Sequence, residues 1–201
     1  MQKANRSSVL MTGVVALALV LAGCASTPEA DVKSSATGAN SKDERGFLAR
    51  SFCQKEFVAH GLKVDVAQCN VSFNKHRGTL RGMHFQKPPK AEAKLVRCTR
   101  GAIHDVIIDL RPNSPTYCQW VMVELTADNF AALYIPEGFA HGFQTFEDNS
   151  EVFYLMFEFY APEYASGVRW DDPAFGIRWP LANPILSERD RSYPLFEKPA
   201  R

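Results

Sequence analysis

From Lys42 onward, turn-forming residues interrupt the chain about every eight to twelve positions, which leaves room only for short strands. RGTLRGMHFQ is closed by KPPK, and AKLVRCTRG runs into AIHDVIIDLRPNSPT. CQWVMVELTADN, ALYIPEGFAHGFQTF, EDNS and EVFYLMFEFYAPE follow. Strands of this length and spacing close into a sandwich or a barrel. One helix is predicted over SFCQKEFVAHGL, Ser51 to Leu62, ending at Gly61. The chain has no Rossmann glycine motif, no Walker loop and no internal repeat. The reading is therefore all-β with a few short helices, in one domain over residues 42–201. Fourteen Phe, six Tyr and three Trp suit either a β-rich core or a cavity lined with rings. A net charge of +1 without a basic block argues against a nucleic-acid partner.

Period-two alternation orients the strands. In KLVRC, Lys94, Val96 and Cys98 share one face, and Leu95 and Arg97 the other. In EVFYLMFEFY, Val152, Tyr154, Met156, Glu158 and Tyr160 share a face opposite Phe153, Leu155, Phe157 and Phe159. Both faces are largely apolar, so both are expected to be covered, one by the barrel interior and one by another sheet or subunit.

The first forty residues are different material. Lys3 and Arg6 precede an apolar run from Val9 to Ala22 that is broken only by Thr12 and Gly13, and LAGC follows at Leu21 to Cys24. The run is short for a membrane span and has the layout of an export signal. LAGC resembles the lipobox of bacterial lipoproteins, which implies lipidation of Cys24 and a lipid anchor. Residues 25–41 are small and polar and read as a flexible tether. The remaining cysteines, Cys53, Cys69, Cys98 and Cys118, form no CxxC pair, so a zinc site is disfavoured and they read as buried small hydrophobes.

Two segments carry chemistry. GTLRGMHFQ places Arg81, His84 and Gln86 where a buried strand would carry Val and Ile. Arg81 and His84 are three residues apart and would face opposite ways in an ideal strand, so Gly82 is read as a bulge that turns both to one side. IPEGFAHGF contains P-x-G-x-x-H, ending on His141. This resembles the second motif of the cupins, double-stranded β-helix (jelly-roll) barrels with a ligand in the mouth. Their metal-binding members also need an H-x-H pair and a downstream carboxylate. Here stand M-H-F-Q and then Lys94, two imidazoles and an ammonium, which is too few ligands with a repelling cation beside them. The metal reading is rejected. A lone His in a strand is more often structural, but a second His and a Lys nearby favour function.

RGTLRGMHFQ, KLVRCTRG, DVIIDLRPNSPT, YIPEGFAHGFQTF, EVFYLMFEFYAPE, WDDPAFGIRWP and ILSERD occur in this order. Together they resemble the dTDP-4-dehydrorhamnose 3,5-epimerases, metal-free cupins of deoxysugar synthesis, from Asp43 to about Asp190. The resemblance implies that His84 is the general base, with Asp190 as its paired carboxylate. It implies that Tyr154 is the general acid and that Lys94 steadies the enolate oxygen. Arg81 falls on a residue that grips nucleotide phosphates, and His141 and Gln86 fall in the sugar site. Arg45 matches a substrate contact supplied across a dimer interface. The implied substrate is a nucleotide-linked 4-keto-6-deoxy sugar, with no cofactor, and the implied assembly is a homodimer.

These residue types suit the reaction. C–H bonds beside a carbonyl are acidic, and loss and return of a proton on opposite faces inverts the carbon. A neutral imidazole, with a reference pKa of ~6.5, is a base suited to neutral pH. A buried carboxylate fixes its tautomer, a phenol of pKa about 10 returns the proton, and a fixed cation stabilises the developing O⁻. Other readings stay open: a membrane-tethered sugar-binding cupin without catalysis, or a family ketoisomerase that moves the carbonyl. Without the resemblance, Tyr154 also reads as a core ring and Asp190 as an exposed surface acid. The chain departs from the family at Cys69 and Val71 in QCNVS, at Leu48 and Arg50 after RGF, at Leu155, and in lacking a strand before DERGF. The missing strand leaves a sheet edge open. The addresses also conflict, since the family is cytoplasmic and the N-terminal signal points to the cell envelope.

Overall fold

The computed structural model describes residues 41–48 and 50–197. The signal segment, Cys24 and the tether up to residue 40 lie outside the described residues. The chain opens with a hairpin of β1 (Ser41–Asp43) and β2 (Gly46–Leu48), whose strands pair with each other in a separate two-stranded sheet. The short helix α1 (Gln54–Ala59) follows. It is shorter than predicted, because Cys53 at its start offers no side-chain cap and Gly61, at φ +67°, turns the chain out of the helix.

Nine further strands form two facing sheets. They are β3 (Gln68–Asn74), β4 (Leu80–Gln86), β5 (Lys94–Arg100), β6 (Ala102–Asp109), β7 (Trp120–Thr126), β8 (Ala132–Ile135), β9 (Phe139–Thr145), β10 (Ser150–Met156) and β11 (Ala165–Gly167). One sheet has the order β3-β10-β5-β8 and the other β11-β4-β9-β6-β7, with antiparallel neighbours throughout. A last short helix, α2 (Glu188–Ser192), lies near the C-terminus. This is the predicted double-stranded β-helix.

Alternation sorts the side chains into an interior and two outer faces. Between the sheets lie Val96, Cys98, Val152 and Tyr154 from one wall and Ile103, Ile107, Phe139 and Phe143 from the other. On the outer face of the four-stranded sheet, Leu95, Phe153 and Leu155 pack under Phe52, Phe57, Leu62 and Val64. The cover expected there from another sheet or subunit thus comes in part from α1 and its flanks in the same chain. On the far side, Val106, Ile108 and Ala140 are covered by Val168, Phe175, Trp179 and Phe196.

Two expectations need correction. The aromatic run after Tyr154 does not stay in the strand: β10 ends at Met156, and Phe159 and Tyr160 are exposed. There, side-chain oxygens of Glu158, Gln68 and Gln86 capture the N–H groups of Phe159, Tyr160 and Ala161, replacing ladder partners. The cysteines are not uniformly buried either. Cys98 is, but Cys69 falls on the exposed face of β3, and Cys53 and Cys118 are intermediate.

Candidate active site

The bulge read at Gly82 exists and builds the site. The β4–β9 register runs Leu80↔Gln144 and Arg81↔Phe143, then resumes at His84↔His141 after a shift. Phe143 belongs to the interior core, so the shift puts Arg81 and His84 on the same inward face. Gly82 adopts φ +143°, and a Cβ there would meet the Cα of Gly142 at 2.6 Å. Facing it, a Cβ on Gly142 would meet the Arg81 carbonyl oxygen at 2.6 Å. Glycine on both strands permits the close approach.

His84 Nε2 lies 2.6 Å from Asp190 Oδ1, across 106 residues of chain. Asp190 comes from α2, where Ser187 caps the first turn by accepting from the Asp190 N–H. The carboxylate is 6% exposed and the imidazole 38% exposed, so the acid sits behind the base. Burial pushes the Asp190 carboxyl up, but the His84 hydrogen bond and charge, Ser187 and the Gly82 backbone together hold it below its ordinary value. It is therefore ionised at neutral pH and can only accept, so the proton of a neutral imidazole resides on Nε2 and Nδ1 is the basic atom. The ring of Tyr193, with its centroid 5.9 Å away, stands edge-on to the imidazole.

His141 pairs with a different carboxylate. Its Nε2 lies 3.0 Å from Asp105 Oδ2, on β6. Burial raises the Asp105 carboxyl above its usual range despite His141 and Lys94, which pull it down. Each histidine thus commits one ring nitrogen to its own acid. Among the described residues no group of three His, Cys, Asp or Glu is arranged to hold a metal ion.

The opposite wall supplies Tyr154 and Lys94. Tyr154 pairs with Val96 and Met156 with Lys94 in the β10–β5 register, so both polar groups face the interior. Burial raises the Tyr154 phenol above its ordinary value, the charge of Glu92 adds to this, and Arg81 opposes it. Lys94 Nζ is 2.7 Å from Glu92 Oε1, and both side chains are buried. Arg81 Nε donates to Asn74 Oδ1 at 2.7 Å, which ties the guanidinium to β3.

Gln86 and Arg45 are not brought to this group. Both N–H donors of the Gln86 amide go to the Lys90 and Phe159 carbonyls, and its oxygen accepts from the Ala161 N–H. It braces two loops instead of presenting a donor to substrate. Arg45 lies in the turn of the β1–β2 hairpin, paired with Asp43, with its side chain 90% exposed. Asp105, Glu92, Asn74 and Tyr193 were missed in the sequence. Two had a signal: Glu92 and Lys94 alternate in A-E-A-K, and Asp105 is an acid between Ile103 and Ile107 on one face of its strand.

Two carboxylate–imidazole pairs, a phenol, a lysine and an arginine thus share one barrel interior. The profile of the dTDP-4-dehydrorhamnose 3,5-epimerase family matches residues 33–198. The chain belongs to that family. Among curated members, the dTDP-4-dehydrorhamnose 3,5-epimerase of Methanothermobacter thermautotrophicus is 48% identical over 161 residues, 78% of this chain and 86% of that one. The Bacillus anthracis epimerase, solved with TDP and pyrophosphate bound, is 45% identical with a TM-score of 0.76, covering 78% of this chain and 90% of that one. The Legionella pneumophila dTDP-6-deoxy-D-glucose-3,5-epimerase, solved with dTDP-4-keto-L-rhamnose, is 36% identical with a TM-score of 0.73, covering 78% and 83%.

The departures from the family pattern fall away from the inward groups. Cys69 and Val71 lie on the outward face of β3 and Leu155 on the outward face of β10. Arg50 pairs with Glu56 at 2.9 Å, and Leu48 is exposed on β2.

Proposed function

We propose that this chain is an isomerase that epimerises C3, C5 or both of a nucleotide-linked 4-keto-6-deoxy sugar. The observation that carries the reading is the placement of His84, backed by Asp190, on one wall of the interior and of Tyr154 on the facing wall. A pyranose between them presents one face to a base and the other to an acid.

His84 Nδ1 takes the proton from the carbon beside the carbonyl, and Asp190 stabilises the imidazolium that forms. The C–H electron pair moves onto the carbonyl oxygen as an enolate, where Lys94 supplies positive charge and N–H donors. Lys94 Nζ lies 2.7 Å from Glu92 Oε1, and an ammonium carries three N–H donors. Tyr154 O–H then delivers a proton to the other face of the same carbon, and burial keeps that phenol protonated at neutral pH. Exchange with solvent returns His84 and Tyr154 to their starting states. Arg81 offers a planar fork to the phosphates, and His141, held by Asp105, lines the sugar.

The reading includes a homodimer in which Arg45 contacts the partner's substrate. In support, Arg45 stands free of its own barrel, and Val71 and Phe73 are exposed on the edge strand β3 beside an apolar cavity lined by Phe52, Val66, Leu95 and Phe153. It also includes a lipid anchor on Cys24, which membrane fractionation of wild type and Cys24→Ser tests.

The decisive experiment is incubation with dTDP-4-keto-6-deoxyglucose in D₂O. Deuterium is expected at C3 or C5 of the recovered sugar. A folded sample that binds the nucleotide sugar without incorporating deuterium would instead mark a binding protein, and migration of the carbonyl would mark a ketoisomerase.

A further inference from the structure

One buried carboxylate in the interior takes no part in the proton transfers above. Glu92 precedes Lys94, the first residue of β5, by two positions. Ala93 between them packs outward with Phe57 and Tyr134, so Glu92 and Lys94 face inward together. Oε1 of Glu92 lies 2.7 Å from Lys94 Nζ in an ion pair, and the Glu92 side chain is only 6% exposed. Its second oxygen, Oε2, is buried and has no hydrogen-bond partner among the described residues.

A buried carboxylate oxygen left without a donor is unfavourable, and such atoms in native proteins call for a partner. The segment that carries it is well braced. Phe157 N–H donates to Ala93 O at 3.0 Å, and Gln86 holds the Lys90 carbonyl at 2.8 Å. The orphaned oxygen therefore sits on a fixed frame. Tyr154 faces the same interior, and the negative charge of Glu92 helps raise its phenol.

We propose that Glu92 is a sugar-binding residue: Oε2 accepts a hydrogen bond from a ring hydroxyl at C2 or C3, while Oε1 holds Lys94 toward the carbonyl oxygen. This rests on reading the chain as a keto-sugar epimerase. It adds a selectivity that the proton-transfer groups do not provide, since the site takes sugars with a free hydroxyl near the carbonyl and rejects their deoxy counterparts. A site built to pair with a hydroxyl discriminates against its absence, because its own polar atom is then left unpaired.

The test uses dTDP-6-deoxyglucose, which keeps the ring hydroxyls but carries an alcohol in place of the carbonyl and so cannot enolise. Its binding to the full chain is measured by calorimetry beside its 2-deoxy and 3-deoxy counterparts. One of the two is expected to bind about 10–100-fold more weakly than the parent, as befits a hydrogen bond to a charged acceptor. In Glu92→Gln, the lysine ammonium has only donors to offer, so the new carbonyl turns to Lys94 and an NH₂ group replaces the acceptor. This variant is expected to lose both the affinity and the discrimination. If it does not fold, Glu92→Asp keeps the charge but withdraws the oxygens by one methylene, and the same loss is expected.

Equal binding of all three compounds by wild type, or discrimination that persists in the variant, overturns the proposal. The deuterium experiment on wild type separates this failure from failure of the epimerase reading. Exchange without discrimination sinks only the role of Glu92, and discrimination without exchange sinks only the reaction. Absence of any binding of dTDP-6-deoxyglucose also overturns the role of Glu92 and leaves the reaction to the deuterium experiment.

Discussion

Replacing Gly82 by alanine tests the geometry on which the site depends. Two costs can be worked from the structure. At φ +143° a non-glycine residue is strained by about 1–3 kcal/mol. The new Cβ would also lie 2.6 Å from Gly142 Cα and 3.2 Å from the His141 carbonyl oxygen, both backbone atoms that cannot rotate away. Overpacking of this kind costs a further ~1–3 kcal/mol. The sum, about 2–6 kcal/mol, is a large part of the ~5–15 kcal/mol that holds a domain together. It corresponds to a fall in Tm of roughly 5–20 °C for a domain of this size. The control is Gly176→Ala, where φ is +61° but nothing lies within 4 Å, so only the conformational cost applies. Thermal melts of both variants, with deuterium uptake into the keto sugar below the melting temperature, make the comparison. Gly82→Ala should melt well below Gly176→Ala and lose exchange even where folded, because relief of the clash requires the β4 register to slip and Arg81 and His84 to part. Similar melting of the two variants with exchange intact in Gly82→Ala would refute the reasoning.

Asp190→Asn keeps the shape of the carboxylate but removes its charge from the imidazole 2.6 Å away. Loss of about 4 kcal/mol of ion pairing at an intermediate dielectric predicts a fall in kcat of roughly 10³-fold in steady-state assays with the fold retained. The same variant reports on acid stability. The native Asp190 carboxyl lies below its unfolded value of ~3.9, so its contribution is present above that pH and is lost as pH falls through the native value. Urea melts below about pH 5 should show wild type losing stability faster than Asp190→Asn, and parallel curves would refute the assignment. Tyr154→Phe removes the acid but not the base, so deuterium wash-in through His84 should outlast net epimerisation, as NMR of the recovered sugar can show. Burial pushes the Cys98 thiol up to about 11 against the Arg100 backbone hydrogen bond. Cys98 should therefore resist N-ethylmaleimide at pH 8 until the protein is unfolded, as read by peptide mapping.

Strand spacing and inward or outward facing were legible because both follow from local periodicity. The bulge at Gly82 was legible for the same reason, since two polar side chains three apart cannot share a face without one. The end of β10 was not, because the apolar run continues and only distant acceptors, Gln68 and Gln86, end the ladder. The part of the cover over Phe153 and Leu155 that comes from α1 was not legible, because α1 is far away in sequence. Asp190 could be reached only by resemblance: its local sequence is that of a surface acid, and its burial arises when α2 docks against β4. Glu92 was within reach of the alternation that placed Lys94 inward, since the two residues are two apart in A-E-A-K.

The docking of α2 also sets an order of events during synthesis. The imidazole leaves the ribosome 106 residues ahead of the carboxylate that orients it, and every barrel strand is complete before Asp190 is made. Until α2 is made, His84 has no carboxylate to orient it. The segment that carries α2 thus ties the orientation of the base to polypeptide made after the barrel strands.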